Sequence, residues 1–161
     1  MRTLYLLRHA KSSWKDDSLA DFDRPLKKRG REAAEHVGEQ LAKEKIKDVV
    51  IVSSPALRTR ETIEIALKSS GLKATVQFDP EIYEADVSTL LRVLGRVSDD
   101  QTTVVMVGHN PGMADFVRYL TGEIQAMPTA ALAKIRFENS TWNDIKPAAG
   151  TLDWLITPRE H

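Results

Sequence analysis

The sequence predicts an α/β protein, a three-layer α/β/α sandwich built on a mainly parallel sheet. Short apolar runs of strand length alternate along the chain with segments of helical periodicity, and no linker, repeat or low-complexity tract interrupts them. Strands that alternate with helices form parallel sheets whose two faces are both covered. The last two runs follow each other closely, which indicates that one of them is antiparallel. We expect one domain over residues 1–161, a length sufficient for a proper core.

Six apolar runs have the length and the polar boundaries of strands. They lie at residues 3–7, 48–52, 74–78, 102–107, 132–137 and 152–156. The run at 102–107 is the most hydrophobic of the six. We expect it to be a central strand, since a central parallel strand is buried on both faces.

The first two helices are predicted between the first three strands. One begins near Pro25, a residue that suits a first helical position. Its apolar stripe comprises Leu26, Gly30, Ala33, Ala34, Val37 and Leu41. Gly30 within that stripe indicates a close approach to a strand. The second helix begins at Ser54-Pro55, with Ser54 as its cap, and runs to about Ser70, where Gly71 stops it.

Two further helices precede the last strands. The third covers about residues 87–97, with an apolar stripe made of Val87, Leu90, Leu91, Leu94 and Val97. The fourth begins at Asn110-Pro111, with Asn110 as its cap, and ends at Gly122. Its buried side chains are expected to be Met113, Val117 and Leu120.

Residues 11–24 are polar and irregular, and we expect Trp14 and Phe22 to anchor this segment onto the body of the protein. The basic cluster that follows is predicted to be a solvated face; it consists of Arg24, Lys27, Lys28, Arg29 and Arg31. Trp142 and Trp154 are interpreted as packing residues. His36 and His161 belong to no motif with other reactive residues, and we expect both to be solvated.

Composition excludes several classes of function. The formal net charge is zero, so no global field attracts nucleic acid or a membrane, and we expect neither as a partner. The chain has no cysteine, which excludes disulfides, thiolate metal sites and a cysteine nucleophile.

The apolar run before Arg8 is too short for a signal peptide, and no run reaches transmembrane length. We expect a cytoplasmic protein. The oligomeric state is left open.

Three strand-to-helix junctions carry arginine or histidine. The first supplies Arg8 and His9, the second supplies Arg58 and the third supplies His109. In open α/β sheets, ligands bind beyond the carboxyl ends of the strands. If the three strands are neighbours, these four side chains converge in one crevice. Arginines bind a phosphate in bidentate fashion, and helix N-termini at the same edge add partial positive charge.

Other kinds of site fit the sequence less well. The histidines accompany cationic arginines rather than a cluster of carboxylates, which argues against a metal site. The chain has no Gly-x-x-x-x-Gly-Lys-Ser/Thr run and no Gly-x-Ser-x-Gly elbow, which argues against a P-loop and against a serine hydrolase. We therefore predict a phosphate site without metal or cofactor, in which histidine is the reactive group.

The chemistry of such a site follows from its charges. Neighbouring arginines and a second histidine disfavour the protonated form of His9, and a neutral imidazole is a nucleophile that can accept a phosphoryl group. Arg8, Arg58 and His109 would hold the non-bridging oxygens as charge develops. A proton donor would assist an alkoxide leaving group. We expect it in the segment Glu81–Ala85, with Glu84 as the candidate.

Together these motifs resemble the histidine phosphatase superfamily. The resemblance is carried by Leu7-Arg8-His9-Ala10, by Ser53-Ser54-Pro55-x-x-Arg58-x-x-Glu61-Thr62 and by Gly108-His109-Asn110-Pro111. Arg-His-Ala-Lys-Ser in place of the commoner Arg-His-Gly, on a short chain, is similar to the SixA-type phosphohistidine phosphatases. The resemblance implies a phosphoglycerate-mutase-like fold, a phosphohistidine intermediate and catalytic roles for Arg8, His9, Arg58 and His109. The segment that holds Glu84 matches the family's acid segment only loosely.

The same pocket serves several activities. The leading hypothesis is a metal-independent phosphatase that acts on protein phosphohistidine or another bulky phosphorylated substrate. A phosphatase or mutase of small metabolites is the enzymatic alternative, and a mutase favours a water-excluding lid for which this chain has few residues. A non-catalytic phosphate-binding adapter module is the alternative from another class.

Overall fold

A six-stranded sheet forms the middle layer of the protein in the computed structural model, which describes residues 1–138 and 140–158. Its strands are β1 (Arg2–Arg8), β2 (Val49–Ser53), β3 (Ala74–Phe78), β4 (Thr103–Gly108), β5 (Leu132–Phe137) and β6 (Thr151–Ile156). They lie in the order β3-β2-β4-β1-β5-β6. The strands from β3 to β1 are parallel, whereas β5 is antiparallel to both its neighbours. The predicted central strand is confirmed, because β4 pairs with both β1 and β2.

Helices cover both faces of this sheet, which confirms the three-layer fold. Within the described residues they are α1 (Lys28–Lys43), α2 (Leu57–Ser70), α3 (Val87–Leu94) and α4 (Gly112–Thr121). Successive residues of a strand point to opposite faces. Tyr5 and Leu7 of β1 therefore pack into the core beneath α1 and α2, and Leu4 and Leu6 pack into the core beneath α3 and α4.

The first helix begins later than predicted. Pro25 is not its first residue: α1 starts at Lys28, and Lys27 precedes it with extended backbone. The carbonyl of Pro25 accepts a hydrogen bond from the amide of Ser13 at 2.7 Å, and Leu26 forms a β-bridge with Ser12. Proline tolerates an extended edge as readily as a first helical turn. The pairing with residues 12–13 therefore decides the conformation of residues 25–27.

The predicted cap Ser54 is wrong, because α2 starts at Leu57 after Ala56, and Ser54 Oγ contacts His109. Helix α4 starts at Gly112, two residues later than predicted, after a cis Asn110-Pro111 bond. Asn110 still caps its first turn, since Asn110 Oδ1 accepts from the amide of Ala114 at 3.2 Å. The predicted stops are confirmed: Gly71 and Gly122 end α2 and α4 with φ of 69° and 78°, a left-handed conformation that glycine adopts freely.

The segment before α1 differs most from its prediction. Trp14 and Phe22 are not buried anchors, since they are 71% and 37% exposed. Arg24 is buried rather than solvated, and its guanidinium lies over the indole of Trp14, 3.5 Å from the ring centroid. The face of an aromatic ring attracts a cation, so an arginine that stacks on it can be buried.

The remaining packing predictions have mixed outcomes. Trp142 is buried and packs on Phe137, as predicted. Gly30 marks a close approach, but to the loop after β1 and not to a strand: a Cβ there would lie 2.1 Å from the carbonyl oxygen of Lys11. His36 is exposed, with Nδ1 3.2 Å from Glu39 Oε2, whereas His161 lies outside the described residues. No helix in the described ranges has the length and hydropathy needed to cross a membrane.

Candidate active site

The four residues predicted to converge do so at the carboxyl edge of the parallel strands. Arg8 ends β1 and His9 follows it, His109 follows β4, and Arg58 is the second residue of α2. All four line one cleft of about 650 Å³. The rings of His9 and His109 lie 5.2 Å apart between centroids. The topology explains this proximity, because β1, β4 and β2 are consecutive in the sheet and parallel.

His9 is buried and held in one tautomer. Its Nδ1 lies 2.7 Å from the carbonyl oxygen of Ala10, so Nδ1 carries the proton and donates it. In the neutral ring Nε2 is then unprotonated and has a free lone pair. Burial, together with the charges of Arg58, Arg8 and Arg24, lowers the pKa of His9 to about 4, against the opposing effect of the Ala10 hydrogen bond. The imidazole of His9 is therefore neutral at physiological pH.

His109 has the opposite tautomer. Arg58 Nη2 donates to His109 Nδ1 at 3.3 Å, and a guanidinium can only donate, so Nδ1 accepts. The proton then resides on Nε2, which donates to Ser54 Oγ at 2.8 Å. Burial lowers the pKa of His109 to about 3, and the charges of His9 and Arg58 act in the same direction. Ser54, predicted as a cap, thus fixes the orientation of the second histidine.

Both arginines of the site retain unused donors. The buried Nε atoms of Arg8 and Arg58 have no hydrogen-bond partner among the described residues. Arg8 donates from Nη1 to the carbonyl oxygen of Met127 at 3.1 Å, which fixes one end of its guanidinium. A buried, unpaired donor on a cation is costly, and an anion that accepts from it removes that cost. The arrangement suits a phosphate.

Asp21, which the sequence analysis did not identify, organises the arginines. Its carboxylate accepts from Arg24 Nη2 at 2.9 Å, from Arg58 Nη2 at 3.0 Å and from the Tyr83 hydroxyl at 2.6 Å. These hydrogen bonds, with that of Tyr83 foremost, hold the pKa of Asp21 well below its usual range. No local signal could have found it, because Asp21 lies 37 residues from Arg58 in an irregular segment.

Glu61 and Thr62 of the second motif hold backbone rather than ligand. Thr62 Oγ1 accepts from the amide of Ala10 at 3.0 Å and donates to the carbonyl of Arg58 at 2.7 Å. Glu61 Oε1 accepts from the amide of Leu26 at 2.8 Å. Helix α2 thereby fixes the loop after β1 and the segment before α1. The spacing of Glu61 and Thr62 after Arg58 therefore serves to hold these two segments beside α2.

The cleft is strongly cationic. Among the described residues that line it, six carry basic side chains and none carries a carboxylate; the six are Arg8, Lys11, Lys15, Arg24, Lys27 and Arg58. The whole chain has 23 basic and 23 acidic residues, so this concentration is local. Clefts lined by one sign of charge raise the local concentration of the opposite ion. In the described part of the chain, no group of three or more histidine, aspartate or glutamate side chains is arranged to hold a metal ion.

Glu84 lies apart from the four converging residues. It is exposed, with φ of 57°, and lines a smaller cleft of about 230 Å³ together with His109 and Asp115. The two clefts share His109 and Asn110. Glu84 thus borders a cleft that adjoins the first one at His109, and its role as a general acid stays a prediction.

The sequence of the chain is similar to one family over more than half its length. Residues 4–93 match the model of the histidine phosphatase superfamily, branch 1. A chloroplast protein of Arabidopsis thaliana, uncharacterised in function, is 34% identical over 96% of this chain and 75% of its own length. An uncharacterised protein of Mycobacterium tuberculosis is 33% identical over 95% of this chain and 100% of its own length.

Solved structures show the same similarity over almost the whole chain. The proposed phosphohistidine phosphatase SixA of Nakamurella multipartitia superposes with a TM-score of 0.87 and 28% identity, covering 98% of this chain and 96% of that one. The proposed SixA of Agrobacterium tumefaciens superposes with a TM-score of 0.84 and 27% identity, covering 98% of both chains.

Proposed function

The chain belongs to branch 1 of the histidine phosphatase superfamily, and we propose that it hydrolyses its substrate through a phosphohistidine intermediate on His9, without a metal ion. One observation carries the proposal. His9 donates from Nδ1 to the Ala10 carbonyl, which leaves Nε2 unprotonated in a cleft lined by Arg8 and Arg58. A neutral imidazole beside two phosphate-binding cations is what nucleophilic attack on phosphorus requires.

The reaction proceeds in two displacements. The Nε2 lone pair forms a bond to phosphorus while the bond from phosphorus to the leaving group breaks, and a proton from an acid or from solvent neutralises the leaving group. Water then attacks the phosphoryl group on His9 and loses a proton to solvent. The P–N bond breaks, its electron pair returns to Nε2, and inorganic phosphate leaves. Arg8 and Arg58 balance the charge on the non-bridging oxygens in both steps.

We propose protein phosphohistidine as the substrate class. The similarity to two proposed SixA phosphatases at 28% and 27% identity supports it. The fold supports it as well, because the segment of residues 9–27 that borders the cleft contains only the short 3-10 helix Asp21–Asp23 and forms no separate lid domain. A phosphoramidate also needs less assistance to its leaving group than an alkyl ester, so hydrolysis of this substrate does not require Glu84 as an acid.

The other expectations from the sequence stay predictions. These are the absence of a nucleic-acid or membrane partner and a cytoplasmic location. Small-metabolite phosphatase or mutase activity and a purely phosphate-binding adapter are the outcomes that would replace the proposal. Because an adapter binds without turnover, release of inorganic phosphate separates it from an enzyme.

The decisive experiment traps the intermediate. Wild-type protein mixed with a radiolabelled phosphorylated substrate and quenched rapidly in base should give an acid-labile, base-stable phosphoenzyme with one phosphate per chain. His9→Ala should give none while its circular dichroism is unchanged. His109→Ala should still form the species, at a reduced rate. Equal labelling of His9→Ala would place the nucleophile elsewhere and overturn the proposal.

A further inference from the structure

A second cleft of about 760 Å³ adjoins the candidate active site. It lies against the N-terminal half of α1, and its walls include Arg29, Glu32 and His36 of that helix. The two clefts share Lys11 and Thr129, so they are adjacent, and we refer to them together as the groove; it extends from His9 to the surface of α1. The proposed hydrolysis of a phosphoryl group occupies only the first part of this groove.

The groove has more basic than acidic side chains, and most of the basic ones line the first cleft. The second cleft adds Arg29 to the six basic residues of the first, and Glu32 is the one carboxylate among the described residues that line either cleft. Lys11, Lys15 and Lys27 form no ion pair with any residue in the described ranges. The proposed reaction uses Arg8 and Arg58 to balance the charge of the phosphoryl group, so the groove has positive charge that the reaction itself does not require.

The charge of α1 provides an independent observation. Its first turn contains no acidic residue, and Lys28, Arg29 and Arg31 follow Lys27 at its N-terminus. The N-terminus of a helix carries partial positive charge, so acidic residues stabilise it and basic residues destabilise it. The basic first turn therefore lowers the stability of the helix. It also strengthens the attraction of this helix end for anions.

We propose that the two clefts together form a docking groove for an acidic segment of a phosphorylated polypeptide. Its phosphoryl group lies at His9, and carboxylate side chains near the phosphorylated residue lie over Lys11 and Arg29. This inference rests on the proposed function, since it names the polypeptide that the same site takes. Charge complementarity selects the acidic segment, and the length of the groove selects a polypeptide over a compact metabolite.

The test compares two phosphohistidine peptides that differ only in the residues around the phosphohistidine, which are Asp and Glu in one and Asn and Gln in the other. An aryl phosphate serves as a substrate without flanking residues. Wild type, Arg29→Glu and Lys28→Glu are compared by phosphate release. Lys28 is the matched control, because it is an exposed neighbour in the same turn, undergoes the same change of charge and lines neither cleft.

Wild type should prefer the acidic peptide by about tenfold in kcat/KM, and 0.5 M salt should remove the preference. Arg29→Glu should lose most of this preference and hydrolyse the aryl phosphate within about twofold of the wild-type rate. Lys28→Glu should keep the preference. Both variants should melt at or above the wild-type temperature, since each removes a cation from a helix N-terminus. Loss of activity in Arg29→Glu would then not reflect unfolding.

Several outcomes would overturn the docking groove. They are equal kcat/KM for both peptides, equal losses in Arg29→Glu and Lys28→Glu, and competition by a deoxyoligonucleotide of the same charge as effectively as by the acidic peptide. Failure of the proposed function looks different, because wild type would then release phosphate from no substrate. In that case the test uses binding instead of turnover. Fluorescence anisotropy compares the affinities of the acidic and the neutral peptide, each labelled and carrying a non-hydrolysable phosphohistidine analogue.

Discussion

Asp21 holds Arg58 through two of its own atoms. The main-chain carbonyl of Asp21 accepts from Arg58 Nη1 at 2.7 Å, and its carboxylate accepts from Nη2 at 3.0 Å. The guanidinium is thereby fixed in plane, with the buried Nε left over. Since the same carboxylate also accepts from Arg24, one residue of an irregular loop sets the position of two cations of the cleft.

Asp21→Asn should lower kcat/KM about tenfold for every phosphorylated substrate, a loss of about 1.4 kcal/mol in transition-state stabilisation. An amide has only one oxygen acceptor, so it cannot receive the hydrogen bonds of Arg24, Arg58 and Tyr83 together. Steady-state kinetics with an aryl phosphate, and the inhibition constant of vanadate, measure the effect. Asp23→Asn is the control, because Asp23 is exposed on the same turn. Equal activity of both variants would contradict a positioning role for Asp21.

Stability should fall as the pH drops from about 6.5 towards 4. A histidine in the unfolded chain becomes protonated near pH 6.5, whereas the folded protein holds the pKa of His9 at about 4 and that of His109 at about 3. The unfolded state thus binds more protons in this window, and acidification favours it. Urea unfolding at pH 7 and pH 5 measures the change. A double variant with asparagine in place of His9 and His109 should show a much smaller fall in the free energy of unfolding between pH 7 and pH 5. An equal fall in wild type and in the double variant would refute the low pKa values.

The general-acid role of Glu84 can be tested through the leaving group. If Glu84 is the acid, Glu84→Gln should reduce kcat/KM by about a hundred- to ten-thousand-fold for a basic alkoxide and little for an activated aryl phosphate. The kcat/KM for phosphohistidine should also change little if water or the substrate supplies the proton. Asp115→Asn is the control, since Asp115 is exposed and lines the same small cleft. A ratio of variant to wild type near one across all leaving groups would make Glu84 an ordinary loop residue. A uniform loss would indicate positioning.

Chelators should leave turnover unchanged, and vanadate or tungstate should inhibit competitively. Six basic side chains line the cleft, which suits an oxyanion and not a divalent cation. Initial rates with and without EDTA, and with the oxyanion at several substrate concentrations, provide the measurement. Loss of activity in EDTA that a divalent ion restores would contradict the metal-free mechanism.

Gly30→Ala should destabilise the protein by about 2 kcal/mol or more, since its Cβ would overlap the main-chain carbonyl of Lys11 and no flexible side chain can yield. Activity should also fall, because the displaced loop follows His9. Thermal melting measures the first effect. Glu35→Ala, an exposed substitution in the same helix, should leave the melting temperature within a few degrees. A melting temperature of Gly30→Ala equal to wild type would show that the loop can move without cost.

The sequence predicted the sheet, its faces and the convergence of Arg8, His9, Arg58 and His109, because apolar runs and strand ends follow local patterns that the fold preserves. The failures share a physical cause. Ser54 precedes proline as a helix cap does, yet its hydroxyl accepts from His109 Nε2, 55 residues along the chain. Asn110 caps the first turn of α4 with Oδ1, and its Nδ2 also donates to the Met127 carbonyl. A sequence pattern typical of helix caps gives no information on a partner that lies far along the chain.

The segment before α1 was less predictable for the same reason. Arg24 appears in a run of basic residues typical of a solvated face, but Ser12 Oγ accepts from its Nη1 at 2.6 Å and Trp14 covers its guanidinium. Asp21 stands between Ala20 and Phe22 with no motif around it. The residues that position the cations are recognisable only once tertiary contacts bring them together.

The wall of the cleft opposite α2 depends on main-chain atoms. The Met127 carbonyl accepts from Arg8 and from Asn110, and the amide of Ala130 donates to the carbonyls of Arg8 and His9. Every residue has a carbonyl and every residue but proline has an amide, so these bonds place little demand on side-chain identity. A change of side chain at Met127 or Ala130 that keeps a similar size should therefore leave Arg8 and His9 in place. Burial of both residues in the core excludes larger side chains there.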